Sequence, residues 1–344
     1  MQKLWMEGNE SDMLRQQAFI QSGNRMLKGG LHCHTTRSDG NVSPSDAIEI
    51  HDTLGYDFLA LTDHRLYNLA NYSAKAGVLI IPGVEVDKNL PMPGPNCRHC
   101  FHAVLLGPQE GNGYTQDQTF EKGSVNDQFE FQRVLDEAHG KGNLTFYCHP
   151  GWSSTSSEEF DKLQGNFAME VWNSGCAIEH DLDTDALYWD LLLRKGIKIF
   201  GVATDDGHNA ETYGLGWVCV NAPKEVDGIL HALEKGAFYS TCGPEIYDFY
   251  LDNGEAVIEC SPVAKIRFHY GFSPNKILNA KDSLLTQGKI AVPDYYAYIR
   301  ASIVDAHGKM AWTNPIFPHE AGLDEKSCSH PLKINANEER TISR

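Results

Sequence analysis

The chain has 344 residues, of which 41% are hydrophobic and 22% charged, the proportions of an ordinary globular protein of about two domains. Its formal net charge of −17, with no opposing run of Lys or Arg, argues against nucleic acid or an anionic membrane as a partner. There is no apolar run of about 18 residues, so no transmembrane helix is predicted, and the polar first 25 residues do not resemble a signal peptide. The nine cysteines are scattered, which favours reduced thiols and a cytoplasmic protein over a disulfide framework.

Predicted strands and helices alternate through most of the chain. A helix is predicted near residues 11–20, and the first clear helix begins after its N-cap Ser43 and buries Ala47, Ile50 and Leu54 on one face. Seven strands are predicted, at residues 25–31, 58–61, 78–81, 103–106, 144–148, 168–171 and 197–203. Later helices are predicted around residues 131–138, 186–195 and 229–233.

This alternation predicts an α/β protein with a parallel sheet, and polar residues after the strands predict a barrel with its site at that end. Loops at 91–100 and 108–126 are expected near the site, the second as a lid or rim. Beyond Gly243-Pro244, short alternating segments separated by turns predict a small antiparallel β domain. The predicted parts are an N-terminal extension at 1–25, a barrel at 26–243, a β-sandwich-like domain at 244–321 and a polar tail at 322–344.

Residues of the types that bind metals follow the predicted strands. His32 and His34 are two positions apart on an extended segment, so both rings can reach one ion. The other candidates, in chain order, are Asp39, His64, Glu85, His102, His149, Asp206 and His208.

Several of these candidates also have an interpretation that involves no metal. His32 and His34 could be core histidines, and His64 could cap a helix together with Asp63. His102 is preferred to its neighbour His99 because it adjoins an apolar strand. Residues 97–100 could form half of a zinc ribbon, but the sequence has no second Cys-x-x-Cys, so a plain loop is favoured.

Taken together, these motifs resemble the polymerase-and-histidinol-phosphatase (PHP) superfamily over about residues 26–243. The matching motifs are Leu31-His-x-His-Thr, Ser38-Asp-Gly, Thr62-Asp-His, Gly83-Val-Glu, His102, His149-Pro and Asp206-x-His208. The resemblance implies a distorted (β/α)7 barrel that holds up to three divalent ions. The C-terminal stretch, with Ser261-Pro262-Val263 and residues 311–315, resembles the β domain of a bacterial branch that includes carbaryl-hydrolase-type enzymes.

The resemblance also implies a role for each residue. The first ion would be held by His32, His34, Glu85 and Asp206. Glu85 would bridge to a second ion held by His102 and His149, and these three residues would hold the metal-bound hydroxide that attacks the substrate. A third ion would be held by Asp39, His64 and His208. Asp63 and Asp205 would orient ligands, and the donor types suit two to three ions of Zn, Mn or Fe.

The function expected from these features is a metal-dependent hydrolase acting on a small phosphate ester. A hydrolase of a non-phosphate ester or carbamate is the alternative, and a non-catalytic metal-binding or interaction module is a third interpretation. Arg65, Lys88 and Arg98 are the few cations near the expected site, where each could bind phosphate or form a surface salt bridge. The sequence leaves open the substrate, the general acid and the oligomeric state.

Overall fold

The computed structural model describes residues 16–17, 26–92, 94–95, 97–108, 113–182, 184–271, 276–292 and 296–317. The first eleven strands in these ranges are β1 Gln16–Gln17, β2 Leu27–Gly30, β3 Phe58–Ala60, β4 Leu79–Ile81, β5 Gly83–Asn89, β6 Cys100–Leu106, β7 Leu144–Tyr147, β8 Asn166–Asn173, β9 Phe200–Thr204, β10 Trp217–Val220 and β11 Phe238–Thr241. The remaining strands are β12 Ile246–Asp252, β13 Glu255–Val263, β14 Lys265–His269, β15 Lys276–Asn279, β16 Leu285–Ala291, β17 Arg300–Val304 and β18 Met310–Thr313.

Seven α-helices lie in the same described ranges. They are α1 Pro44–Thr53, α2 Gln128–Gly140, α3 Pro150–Ser153, α4 Ser157–Phe160, α5 Ser174–His180, α6 Ala186–Arg194 and α7 Val226–Glu234. Within these ranges, no helix combines the length and apolar character that crossing a membrane requires.

The strands form three sheets. The two larger sheets contain both parallel and antiparallel pairs, and the smallest is antiparallel throughout, so the α/β class is as predicted but the sheet is not purely parallel. A five-stranded sheet has the order β5-β6-β7-β8-β9, a nine-stranded sheet the order β15-β14-β17-β18-β11-β10-β2-β3-β4, and a four-stranded sheet the order β1-β12-β13-β16. Pairs β2–β3, β3–β4, β7–β8 and β8–β9 are parallel. Pairs β5–β6, β6–β7 and β10–β2 are antiparallel.

The two larger sheets approach each other on both sides, which brings their polar ends together. On one side the backbone N–H of Glu85 donates to the carbonyl of Thr62 at 3.1 Å. On the other side the Ser240 hydroxyl accepts from the backbone N–H of Ala203 at 3.1 Å and donates to the carbonyl of Gly201 at 2.7 Å. The enclosed end collects the residues that follow β2, β3, β7 and β9, as expected for the carboxyl ends of parallel strands.

Two local predictions were wrong. Gln16 and Gln17 pair with β12 as a strand instead of lying in a helix; the rest of the predicted helix near 11–20 is outside the described residues. Helix α1 begins after Ser43 as predicted, and the Ser43 hydroxyl accepts from the N–H of Asp46 at 3.2 Å. However, α1 ends before Leu54, which is 41% exposed, and the buried face shifts to Ala47, Ile48 and His51.

Part of the loop predicted at 108–126 is hydrogen-bonded to the rest of the fold. The backbone N–H of Tyr67 donates to the carbonyl of Gln118, and that of Phe120 donates to the carbonyl of Arg65, both at 2.9 Å. These bonds tie the described part of the loop to the chain that follows β3. The role of this loop as a lid or rim of the site stays a prediction.

The strands after Gly243 are joined to the preceding chain. β18 pairs with β11, which places both sides of the predicted boundary in the nine-stranded sheet. Trp312 stacks on Trp172 with ring centroids 6.2 Å apart, and Asp190 of α6 accepts hydrogen bonds from Tyr298 and Arg300. A domain boundary at Gly243-Pro244 stays a prediction.

Candidate metal centre

All nine predicted ligand residues meet at the polar end of the sheets. Four side chains form an inner group that is almost fully buried: His32, His34, Glu85 and Asp206. Glu85 Oε2 lies 3.3 Å from His32 Nε2 and 3.2 Å from His34 Nε2, and Asp206 Oδ1 lies 3.2 and 3.0 Å from the same two nitrogens. Four potential donor atoms therefore face one point from three different strand ends.

The other oxygen of Glu85 faces a second pair of histidines. Oε1 lies 2.8 Å from His102 Nδ1 and 3.3 Å from His149 Nε2. His99, which competed with His102 in the sequence, lies outside the cluster, with Nε2 2.8 Å from the carboxylate of Glu159. A carboxylate with each oxygen directed at a different histidine pair has the geometry of a bridge between two ions.

An outer group lies at the mouth of the site. Asp39 Oδ1 is 3.5 Å from His34 Nδ1 and 3.6 Å from His208 Nε2, and Asp39 Oδ2 is 3.5 Å from His64 Nε2. The Asp39 side chain is 54% exposed, whereas that of Glu85 is 1% exposed. The cluster thus runs from a buried floor to a solvent-facing edge.

Unpartnered polar atoms support the fit of this cluster to metal ions. Glu85 Oε2 and His64 Nδ1 are both buried without a hydrogen-bond partner among the described residues, although they lie 3.1 Å apart. An uncompensated buried polar atom costs about 1–3 kcal/mol, so such pairs are rare without a purpose. An imidazole nitrogen and a carboxylate oxygen that converge in this way without a hydrogen bond are suited to ligating a divalent transition metal.

Two of the nine candidate ligands, His149 and Asp206, have a strained backbone conformation. His149 has φ of 26° and Asp206 has φ of 48°, in the left-handed region that side chains other than glycine seldom adopt. Asp206 is held there by a hydrogen bond from its N–H to the carbonyl of His32 at 3.2 Å. Such strain costs about 1–3 kcal/mol per residue and is concentrated at functional sites.

The carboxylates and imidazoles shift one another's pKa values strongly. Burial alone would lower the pKa of His34, but Asp206 and Glu85 outweigh it and raise that pKa to about 10. Burial also opposes the shift at His102, yet Glu85 raises its pKa to about 10. Burial alone would raise the pKa of Glu85, but the surrounding imidazoles, His64 first, hold it well below its usual value. The buried carboxylates therefore favour positive charge inside the cluster, carried either by protons on the imidazoles or by a bound divalent ion that displaces those protons.

The sequence reasoning missed Glu170, a buried residue of β8 that supports the cluster from behind. Its Oε1 accepts from His32 Nδ1 at 2.7 Å and from the Thr204 hydroxyl at 2.7 Å, while Oε2 accepts from the His149 N–H at 2.8 Å and from Asn173 Nδ2 at 2.9 Å. A carboxylate behind a ligating histidine fixes its ring and tautomer. The signal that could have found Glu170 was a charged residue inside an otherwise apolar strand.

We expect Glu170→Gln to weaken metal binding by about 10- to 100-fold, because an amide offers one acceptor oxygen where four donors converge. Thr204→Val is the matched control, since it removes a single one of these bonds and leaves the carboxylate. Competition with a chelator, read by elemental analysis, measures the change. Equal metal affinity in Glu170→Gln and the unaltered protein would refute the supporting role.

Asp63 and Asp205 organise loops beside the cluster. Asp63 accepts from the N–H and hydroxyl of Thr35 and from the hydroxyl of Ser38, each at 2.8 Å, and so shapes the loop between His34 and Asp39. Asp205 accepts three backbone N–H groups, those of residues 214–216, at 2.7–2.8 Å. Asp63 thus acts on the ligand loop, whereas Asp205 fixes the segment behind Asp206.

The three predicted substrate-binding cations differ in their surroundings. Arg65 pairs with Asp87, a β5 residue that the sequence reasoning missed and whose Oδ1 lies 3.3 Å from His64 Nδ1. Lys88 donates to the backbone carbonyl of Glu121. Arg98 lies over the Trp152 ring, with the guanidinium carbon 3.4 Å from the ring centroid.

No family model matches the chain. A 5'-3' exoribonuclease of Haemophilus influenzae is 39% identical over 66 residues, which are 18% of this chain and 24% of that protein, so the match spans about a quarter of the relative.

Three solved structures are also similar. A two-domain protein of Bacteroides vulgatus, containing a predicted PHP-like metal-dependent phosphoesterase, has a TM-score of 0.45 and 16% identity, with 86% of this chain and 96% of that chain covered. An amidohydrolase of Chromobacterium violaceum has a TM-score of 0.38 and 16% identity over 53% of this chain and 87% of that chain. A proposed metal-dependent phosphoesterase of Bifidobacterium adolescentis has a TM-score of 0.37 and 14% identity, with 54% of this chain and 89% of that chain covered.

Proposed function

We propose that this protein is a metal-dependent hydrolase that cleaves small phosphate esters. The observation that carries the proposal is the position of Glu85, whose two oxygens face His32 and His34 on one side and His102 and His149 on the other. The same cluster contains Asp39, Asp206, His64 and His208, so it has donors for two to three divalent ions, with Zn, Mn and Fe as the candidates. Bound ions of this kind would polarise phosphoryl oxygens and lower the pKa of water.

The charge of the pocket favours a phosphate over a neutral ester or carbamate. The sequence predicts three carboxylates in the pocket, those of Asp39, Glu85 and Asp206. The structure adds the carboxylates of Glu170 and Asp87, and Asp87 is paired with Arg65. Three divalent ions would carry six positive charges, more than the four negative charges of Asp39, Glu85, Asp206 and Glu170, which contact the cluster histidines. Asp63 and Asp205 lie outside this set, where they accept from hydroxyl and backbone N–H groups. A dianionic phosphoryl group therefore fits the loaded site better than an uncharged substrate.

Residues at the edge and at the floor of the cluster would have different roles in binding a substrate. Asp39 and His208 line the exposed edge, where a substrate would enter, and Glu85 lies on the buried floor, where it would hold the metal ions. The acidic exterior argues for small substrates over nucleic acid, because a polyanion must approach a surface of the same sign. All eight described cysteines are free thiols, and we propose a cytoplasmic location on that basis.

A panel of substrates tests this function. The metal-loaded protein is expected to hydrolyse phenyl phosphate or a small phosphodiester, to be inhibited competitively by inorganic phosphate, and to leave a short RNA oligonucleotide intact. Asp206→Asn should abolish turnover and keep the fold, since it removes a charged donor at nearly constant volume. The control is Asp161→Asn. Asp161 pairs with Lys195 and is not one of the candidate ligands, so this variant should remain active. Turnover of aryl esters or carbamates, with phosphates inert and phosphate non-inhibitory, would establish the alternative hydrolase instead.

A further inference from the structure

We propose that Arg98, held over Trp152, binds a second anionic group of the substrate beside the phosphoryl group that is cleaved. The inference rests on the proposed phosphoesterase function and names the class of ester that the site prefers. Such substrates are small phosphate esters that also carry a carboxylate or a second phosphate.

The first support is the position of Trp152 against the predicted ligands. The indole ring meets the His149 ring edge-on with centroids 4.9 Å apart, and the His102 ring with centroids 5.5 Å apart. The Arg98 guanidinium lies over the same indole at 3.4 Å. One aromatic ring therefore separates this cation from the histidines that face Glu85 Oε1.

The second support is that Arg98 is available to a ligand. Arg65 is paired with Asp87, and Lys88 donates to the carbonyl of Glu121, so both cations already have acceptors. Arg98 is exposed and has no carboxylate partner in the part of the chain that the structure describes. Its interaction with the indole uses the face of the guanidinium and leaves N–H groups on the edge for an oxyanion.

The third support is the anchoring of the backbone next to Arg98. The His99 ring bridges two elements, with Nδ1 donating to the carbonyl of Pro91 at 2.7 Å and Nε2 lying 2.8 Å from the Glu159 carboxylate. The carbonyl of His99 also accepts from the N–H of Leu90 at 2.8 Å. Arg98 thus projects from a fixed segment, which limits the entropy lost when it binds a ligand.

A guanidinium recognises carboxylate and phosphate through the same paired N–H···O geometry, so the shared chemistry of the proposed group is an oxyanion. The test uses three ligands that differ only in that group: phenyl phosphonate, 4-carboxyphenyl phosphonate and 1,4-phenylene bisphosphonate. Binding to the metal-loaded protein is measured by calorimetry, and KM and kcat are measured on the matching phosphate esters.

The two doubly anionic phosphonates are expected to bind about ten- to a hundredfold more tightly than phenyl phosphonate. Arg98→Gln should remove this preference, acting on KM more than on kcat, and leave metal content and phenyl phosphonate affinity unchanged. Lys289→Gln removes the same unit of charge from an exposed cation that pairs with Glu255, and this variant should keep the preference. Trp152→Phe should retain part of it, since a smaller ring still supports the guanidinium.

Two results would overturn the inference: equal affinity for the three phosphonates, or a preference that survives Arg98→Gln. The stronger of the two doubly anionic ligands identifies the carboxylate or the phosphate as the natural group. If phenyl phosphate is hydrolysed and the second anion makes no difference, only this inference fails. If no phosphate is hydrolysed while an aryl ester or carbamate is, the proposed function fails as well.

Discussion

Glu85→Gln is expected to remove most of the metal that the protein binds. Each oxygen of Glu85 faces a separate histidine pair, so the amide replaces one acceptor oxygen by an N–H₂ group and also removes the charge that both positions share. The resulting loss in metal affinity should exceed the roughly 10- to 100-fold typical of losing a residue behind a ligand. Elemental analysis after reconstitution with Zn²⁺, Mn²⁺ and Fe²⁺ in turn measures the effect.

The matched control is Glu255→Gln. Glu255 pairs with Lys289 on the exposed β13–β16 pair, so this change removes the same charge far from the cluster and should leave metal content unaltered. The unaltered protein should bind about two or more ions per chain, as a carboxylate-bridged site requires. Full metal retention in Glu85→Gln would contradict the bridge, and less than about one ion in the reconstituted unaltered protein would contradict the metal centre itself.

The convergence of the candidate ligands was predictable because metal-binding residue types at strand ends are a local signal in the sequence. His32 and His34 are two positions apart after β2, and that spacing alone directs both rings to one side. His64 follows β3 in the same way. The convergence of these residues then depends only on strands whose carboxyl ends share one side of the fold.

Strand direction was less predictable. β5 is polar and directly follows Pro82, so residues 83–85 resembled a strand end instead of the start of a seven-residue strand. β10 lies antiparallel between β2 and β11, and nothing local in its sequence sets that direction. Both cases depend on which neighbours a strand meets, which is a property of the whole chain.

Residues that act through another residue were the hardest to predict. Glu170 lies inside β8, and its four donors come from separate segments of the chain. Trp152 closely follows His149, yet its contact with Arg98 joins α3 to the distant loop before β6. Sequence reasoning identified Arg98 as one of three equivalent cations, and only the tertiary structure separates it from Arg65 and Lys88.

Asp190→Asn is expected to destabilise the protein by about 3–5 kcal/mol, a large part of the 5–15 kcal/mol typical of folded proteins. Asp190 Oδ1 accepts from Arg300 Nε at 2.9 Å and from the Tyr298 hydroxyl at 2.7 Å, and the Arg300 side chain is fully buried over Trp189. The amide keeps an acceptor oxygen but leaves the guanidinium charge without a counter-charge. Loss of the pair should therefore lower the midpoint of urea unfolding, followed by circular dichroism.

The double variant Asp190→Asn/Arg300→Met separates the unpaired charge from general damage to the core. Replacing both partners removes the buried charge and fills similar volume, so much of the lost stability should return. Glu255→Gln breaks an exposed pair and should cost less than about 1 kcal/mol. Asp190 lies on α6 and Arg300 on β17, where the C-terminal strands meet the preceding chain. A large effect of Asp190→Asn that the double variant reverses would mean that the loss comes from the uncompensated guanidinium at this contact and not from general damage to the core. An unfolding midpoint in Asp190→Asn equal to that of the unaltered protein would instead leave the shared sheet and the apolar contacts around Trp312 as the main link.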